Sequence, residues 1–386
     1  MLSKKIKDSL RGLETPFYLY DMALLGQTLD AIRAEASKND YKIHYAIKAN
    51  NDQRILREVL ARGFGIDCVS GNELQLVRSL GFPADSIVYA GVGKSDAEIT
   101  LGIREGIRAF NCESRQELQV IDSIARNLGL RARVALRINP DVDPQTHRHI
   151  STGQADSKFG ISYREIDQVA GELATYENLD FQGLHFHIGS QITDMRVFEF
   201  FCRRVNSLIE WFAERGFPLG YINMGGGLGV NYENPEGEPM PDFGAYFDAF
   251  RRNLSVGDAE VHFELGRAMV AQCGELVSRV LFNKINSAGN EVVIIDGSMS
   301  ELIRPALYDA YHEIENLDAR QGSARLPYIV AGTVCESSDV FAAGRDLPEL
   351  RRGDLVTIKT AGAYGASMSS RYNMHDTPRV VYSDMI

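Results

Sequence analysis

Polar residues fit for chemistry close a series of short apolar runs along this 386-residue chain. Lys48 ends KIHYAIK, Asp67 lies in FGIDCVS, and Arg137 lies in RVALRINP. His185 and His187 lie in FQGLHFHIG, Gly225, Gly226 and Gly227 end YINMGGG, and Glu264 and Arg267 close VHFELGR. Singly, each has an ordinary reading. A strand lysine is a solvated face or an edge guard, and a glycine run is a tight turn. As a set they resist burial in a core, because each buried polar group costs free energy unless it is paired. GGGLG stands between a strand and a helical pattern, where backbone N–H groups can approach an anion. No Lys-Ser/Thr follows it, so it is not a nucleotide-binding P-loop. HIGSQ adds Ser190, whose hydroxyl can share the same phosphate. A lysine amine, a phosphate cradle, an aromatic face at His187 and a carboxylate at Glu264 point to pyridoxal 5'-phosphate. The amine carries the aldehyde, and the carboxylate keeps the pyridine nitrogen protonated, which strengthens the ring as an electron sink.

These residues need elements to bring them to one face. The strand candidates are 42–48, 64–70, 86–91, 107–114, 133–140, 181–189, 221–227 and 261–266. Helical patterns separate them, such as DQRILREVLARG with its closing glycine and EFFCRRVNSLIEWFAERG. Eight strands alternating with helices predict a TIM-like (β/α)8 barrel, which carries its chemistry at the C-terminal ends of the strands. Alternation alone does not show closure, and an open doubly wound sheet is the other arrangement. Two long irregular stretches, 139–160 and 231–243, fall on the same face as the strand ends, and loops of that length are uncommon without a function. After about residue 270 the texture becomes β-rich, so the expected division has three parts. Residues 26–270 form the cofactor-binding barrel, 271–386 a C-terminal β domain, and 1–25 an N-terminal segment whose TPFYLYD pairs with that domain.

Composition narrows the function classes. Hydrophobic content of 44% and charged content of 24% are those of an ordinary globular protein. A formal net charge of -11 argues against a nucleic-acid surface. No run approaches the roughly 20 apolar residues of a membrane helix, and no signal peptide is apparent. The five cysteines are odd in number and form no CxxC pair, so neither a disulfide framework nor a structural zinc site is expected. The reading is a reduced, cytoplasmic protein with a small-molecule substrate and no bound metal.

The motifs YAIKAN, GLHFHIGSQ, NMGGGLG, ELGRAMV, LIRPALYDAYHEI, CESSDV and GAYGASMSSRYN, in this order, resemble the fold-type III pyridoxal-phosphate decarboxylases. Within them the chain is most similar to the diaminopimelate decarboxylase family, and ISTGQADSKFGIS adds to the likeness. The resemblance implies decarboxylation of meso-2,6-diaminopimelate to L-lysine and carbon dioxide, the last step of bacterial lysine synthesis. It also implies a homodimer with shared active sites. By motif, Lys48 would carry the cofactor, Asp67 and Arg137 would lie near its ring, and His187 would stack on it. Ser190 and Gly225 to Gly227 would bind phosphate, and Glu264 would meet the pyridine nitrogen. Arg267 and Tyr364 would meet phosphate or substrate. Arg304 and Tyr308 would clamp a substrate carboxylate. Cys335, as a proton donor, and Glu336, as a substrate contact, would reach into the partner's site. The chain departs from the family pattern twice. Leu265 replaces the proline of EPGR, which would loosen a turn. Ser338 replaces the glycine of CESGD, which would strain a positive φ if one is needed there.

Other readings remain open at this stage. A related decarboxylase acting on ornithine, lysine or another amino diacid would keep most of these motifs. The HxH of His185 and His187 also occurs in metal-dependent barrel hydrolases, which need further histidine ligands at other strand ends; His262 lies near the start of its strand. A non-catalytic pyridoxal-phosphate carrier would lack the β-rich C-terminal part, and a racemase must spare the carboxylate. Cys335 alone reads as a buried small hydrophobe, and Arg304 alone as a surface charge.

Overall fold

A computed structural model describes residues 9–140 and 158–386. The 139–160 stretch and the ISTGQADSKFGIS motif therefore lie largely outside the described residues. Of the chain, Leu29–Gly229 and Asp242–Gly266 form one compact unit, and Met1–Thr28, Val230–Pro241 and Arg267–Ile386 form a second.

Strand β1 (Phe17–Tyr20) belongs to the second unit. The first unit is built on eight short strands: β2 (Lys42–Ala46), β3 (Gly65–Cys68), β4 (Ile87–Tyr89), β5 (Ala109–Cys112), β6 (Ala132–Arg137), β7 (Leu179–His185), β8 (Tyr221–Asn223) and β9 (Glu260–Leu265). Each pairs in parallel with the next, and β9 returns to β2 with Lys42 opposite His262 and His44 opposite Glu264. The sheet is a closed barrel, not an open doubly wound one. Apolar stripes at helical spacing explain the outer layer. Helix Met195–Glu214 buries Phe198, Phe201, Cys202, Val205, Leu208, Ile209 and Phe212, and Asp194 caps it by accepting from Arg196 N–H. An edge-to-face aromatic cluster fastens this layer to the barrel, with Phe198 to Tyr246 at 4.9 Å and Phe250 to Phe263 at 4.8 Å between ring centres.

The strands are shorter than their apolar runs. β2 ends at Ala46, and Lys48 sits in a single 3₁₀ turn, Ile47–Ala49. β7 ends at His185, so His187 lies past the strand and the two histidines do not share a strand face. Both residues stand at the C-terminal mouth of the barrel, where the backbone is free of ladder pairing and can turn to aim a side chain.

The second unit is a mixed sheet. Its strands are β10 (Gly274–Ile285), β11 (Glu291–Ile295), β12 (Ile314–Asn316), β13 (Arg325–Ala331), β14 (Val340–Pro348), β15 (Leu355–Ile358) and β16 (Arg379–Tyr382). β1 pairs antiparallel with β10 and parallel with β16. Its core includes Phe17, Leu19, Val277 and Leu355. The described residues contain no helix long and apolar enough to cross a membrane.

Candidate active site

Inside the barrel, β3, β5, β6, β7, β8 and β9 deliver Asp67, Asn111, Arg137, His185, Asn223 and Glu264 near their C-terminal ends, all buried. Glu264 is the hub. Its Oε1 accepts from Asn111 Nδ2 at 3.0 Å and from Asn223 Nδ2 at 2.7 Å. Its Oε2 lies 2.9 Å from His185 Nε2. Burial alone would raise the pKa of Glu264, but the attraction and hydrogen bond of His185, joined by the attraction of Lys48 and His187, outweigh it and hold the carboxyl below the usual carboxylate range. A carboxylate has about four lone-pair sites, so three bonds leave one for a further donor.

Asp67 is wholly buried, and its Oδ2 accepts from Lys48 Nζ at 2.7 Å. Its Oδ1 is buried with no hydrogen-bond partner among the described residues. Burial, then repulsion from Glu264, raise the Asp67 pKa against the opposing pull of Lys48. The Lys48 side chain keeps 42% of its surface exposed, so its amine is reachable while its counter-ion is not.

The two turns past β7 and β8 are laced together. Gly226 N–H donates to His187 Nδ1 at 3.2 Å, Ile192 N–H donates to Gly227 O, and Ile192 and Leu228 form a bridge. His187 Nδ1 is thus an acceptor. Burial, then the charges of Arg137 and Lys48, lower its pKa to about 3, which keeps the ring neutral. A Cβ on Gly226 would stand 2.0 Å from Glu264 O, and one on Gly225 would stand 2.3 Å from Phe186 O. Gly225 also has φ of 68°. Glycine is needed here for close backbone packing as well as for any anion. Ser190 stands in the same laced turn, half-buried.

Arg137 is committed to a different contact. Its Nη1 donates to Glu113 Oε1 at 2.6 Å, while Glu113 Oε2 accepts from Gly160 N–H. Glu113 went unnoticed in the sequence, as did Asn111 and Asn223. His44 and His262 bond each other, Nε2 to Nδ1 at 2.8 Å, and His262 does not join His185. Among the described residues no group of three or more His, Cys, Asp or Glu is arranged to hold a metal ion.

The second unit holds another polar cluster. Arg267, Arg304, Tyr232 and His312 are all buried, so Arg304 is not a surface charge. Arg267 Nη1 donates to Tyr232 Oη at 2.5 Å, and its guanidinium lies 5.0 Å from the Tyr364 ring centre. The Arg304 guanidinium lies 4.8 Å over the Tyr232 ring. Tyr308 closes the short helix that Arg304 opens, half-buried. Tyr232, from the long 231–243 loop, and His312, from YHEI, were not singled out in the sequence.

Cys335 and Glu336 lie in the β13–β14 connection, both exposed. Cys335 N–H donates to Asn373 Oδ1 at 2.8 Å, and Tyr372 Oη donates to Glu336 Oε1 at 2.8 Å. Cys335 is therefore not the buried hydrophobe that a lone cysteine would be. Ser338 does not adopt a positive φ, so serine is unstrained there. Leu265 is buried and paired with Tyr45 at the end of β9, not placed in a loose turn.

The family described as "Pyridoxal-dependent decarboxylase, pyridoxal binding domain" matches residues 27–271. A diaminopimelate decarboxylase of Bacteroides thetaiotaomicron is 46% identical over 98% of this chain and 97% of its own. The chain belongs to the diaminopimelate decarboxylase family. Solved structures of family members agree. The Helicobacter pylori diaminopimelate decarboxylase complexed with L-lysine has a TM-score of 0.90 at 36% identity, covering 97% of this chain and 93% of that one. The "m. jannaschii" diaminopimelate decarboxylase in co-complex with L-lysine has a TM-score of 0.88 at 33% identity, covering 97% of this chain and 88% of that one. As a member of the diaminopimelate decarboxylase family the chain is a carboxy-lyase that uses pyridoxal phosphate. Its barrel fits that cofactor: a reachable amine at Lys48, a neutral imidazole at His187, an ionised Glu264 with a lone pair to spare, and an orphaned Asp67 Oδ1.

Proposed function

We propose that the protein removes carbon dioxide from the D-centre of meso-2,6-diaminopimelate and releases L-lysine. Pyridoxal phosphate, when bound, supplies the electron sink for the pair left by the breaking bond to the carboxylate. Lys48 carries the cofactor, with Asp67 as counter-ion of its amine. Glu264 meets the pyridine nitrogen, held in place by His185, Asn111 and Asn223. His187 offers its neutral face to the ring. Ser190, Gly225, Gly226 and Gly227 take the phosphate, helped by Tyr364. Arg137 braces the barrel mouth near the ring through Glu113.

The observation that carries the substrate choice is Arg304. It is buried, and among the described residues it pairs with no carboxylate. A buried guanidinium without a counter-ion is costly, and a substrate carboxylate relieves it. Diaminopimelate keeps a carboxylate and an ammonium at the end that does not react. Arg304, with Tyr308 and Arg267, takes the carboxylate, and Glu336 takes the ammonium. Ornithine and lysine bring only an ammonium to that place.

The active unit in this reading is a homodimer in which Cys335 and Glu336 serve the site of the other chain. Cys335 returns the proton to the carbon that lost carbon dioxide. Exposure supports this: Cys335 and Glu336 stand beside Tyr372 and Met374, which are 44% and 90% exposed. Neighbouring exposed apolar side chains can form a patch of the kind that a partner covers. Steady-state kinetics of Arg304→Ala test the substrate assignment. Loss of a buried charged contact of about 2–5 kcal/mol lowers kcat/KM for diaminopimelate by orders of magnitude. Activity within a few-fold of the parent protein would reject Arg304 as the clamp.

A further inference from the structure

We propose that His312 is a positioning residue, which orients the Arg304 guanidinium toward a substrate carboxylate while leaving its charge uncancelled. The proposal rests on the reading of Arg304 given above.

The hydrogen bonds fix the imidazole's state. His312 is 1% exposed, and its Nδ1 lies 2.8 Å from Lys359 O. A carbonyl oxygen only accepts, so Nδ1 carries the proton. His312 Nε2 lies 2.9 Å from Arg304 Nη1. A guanidinium only donates, so Nε2 holds a lone pair. One state satisfies both contacts: the neutral Nδ1–H tautomer. An imidazolium would set N–H against N–H.

The anchor behind the imidazole is firm. Lys359 N–H donates to Glu313 O, and Lys359 Nζ pairs with Glu236 at 2.5 Å and Glu315 at 2.7 Å. On its other side Arg304 packs over the Tyr232 ring, which itself meets His312 edge-on at 5.2 Å. The guanidinium is thus held by an imidazole and a phenol face, neither of which bears charge. A carboxylate at position 312 would hold it equally well but would spend its charge in an internal ion pair.

The remaining donors give the direction of use. With Nη1 bound to His312, the Nε–Nη2 edge of the fork is the one suited to a bidentate carboxylate. Arg304 Nε is buried and has no hydrogen-bond partner among the described residues. An unsatisfied buried donor is costly in a resting protein and is relieved when a ligand oxygen arrives.

L-lysine, the product, keeps a carboxylate for Arg304, whereas cadaverine does not. The test therefore compares inhibition by these two compounds in the holoenzyme of the parent, His312→Gln and His312→Glu. Glutamine offers a neutral acceptor and a donor, and should keep L-lysine inhibition within about threefold of the parent, as an isosteric neutral exchange should. Glutamate should weaken L-lysine by about tenfold or more while leaving cadaverine unchanged, as loss of a charged contact requires. Equal effects of the two variants on L-lysine would overturn the positioning role. A parent enzyme that does not prefer L-lysine to cadaverine would instead overturn the reading of Arg304. Nitrogen chemical shifts of histidine-labelled parent protein give a check that needs no variant. One neutral Nδ1–H histidine, absent in His312→Gln and unchanged from pH 6 to 8, is expected; an imidazolium or Nε2–H signal for His312 would overturn the proposal.

Discussion

Lys48 Nζ stands 2.7 Å from Asp67 Oδ2, and the two residues sit in opposite environments. The Lys48 side chain is 42% exposed and the Asp67 side chain is wholly buried. One end of the pair can meet a ligand arriving at the barrel mouth, while the other cannot leave. The contact holds the amine at the place where the proposed chemistry needs it, at the cost of burying a charge.

That cost has a pH signature. The Asp67 pKa is raised in the folded state by burial and then by Glu264. Its contribution to stability is whole below the ordinary carboxylate pKa and is lost as pH rises toward the raised value. Asp67→Asn cannot ionise. The Tm of cofactor-free Asp67→Asn should gain on that of the parent between pH 4 and pH 8, while turnover falls. A Tm difference that does not change with pH would contradict this.

Glu264 should behave in the opposite sense. Burial raises its pKa, but His185, with Lys48 and His187, more than reverses this and the folded value is depressed. Its stabilising contribution is present above the ordinary carboxylate pKa and fades as pH falls through the folded value. Glu264→Gln should lower stability most near neutrality, and urea unfolding from pH 7 to pH 3 should show the gap narrowing. A gap that widens with acid would contradict a depressed Glu264 pKa.

The barrel was legible because period-2 apolar runs and helical stripes are local signals. The strand-end ring was legible because polar residues at the ends of apolar runs are unusual. The exact stops were not. Lys48 falls in a 3₁₀ turn and His187 past its strand, since pairing with neighbours rather than apolarity ends a strand. Asn111 and Asn223 were missed because their importance lies in bonds to Glu264, 153 and 41 residues away. His312 and Tyr232 were hidden for the same reason. Both lay inside stretches already marked, yet nothing in the sequence says that they meet at Arg304.

Gly226 offers a test of the laced turns. A Cβ there would lie 2.0 Å from Glu264 O, on backbone that cannot swing aside. Gly226→Ala should cost about 1–3 kcal/mol or more by overpacking, and should weaken cofactor retention. Chemical denaturation and visible absorbance measure the two effects. A variant as stable as the parent and fully loaded would mean that the turn has slack.

Mixing two inactive proteins tests the shared site. In a hybrid of Lys48→Ala and Cys335→Ala chains, one site collects both lesions and the other collects none. Random exchange makes about half the dimers hybrid, so roughly a quarter of parent activity should return. No recovery, with exchange confirmed by differently tagged chains, would place both residues in the service of one chain's site.

The most direct measurement is carbon dioxide release by the purified holoenzyme from meso-diaminopimelate, L-ornithine and L-lysine, each at equal concentration. Rapid release from meso-diaminopimelate, with L-lysine as product, is expected. Release from ornithine and lysine should be lower by a factor of about 100 or more, because Arg304 repels a lone ammonium. Comparable rates on all three substrates, or turnover of ornithine or lysine alone, would contradict this.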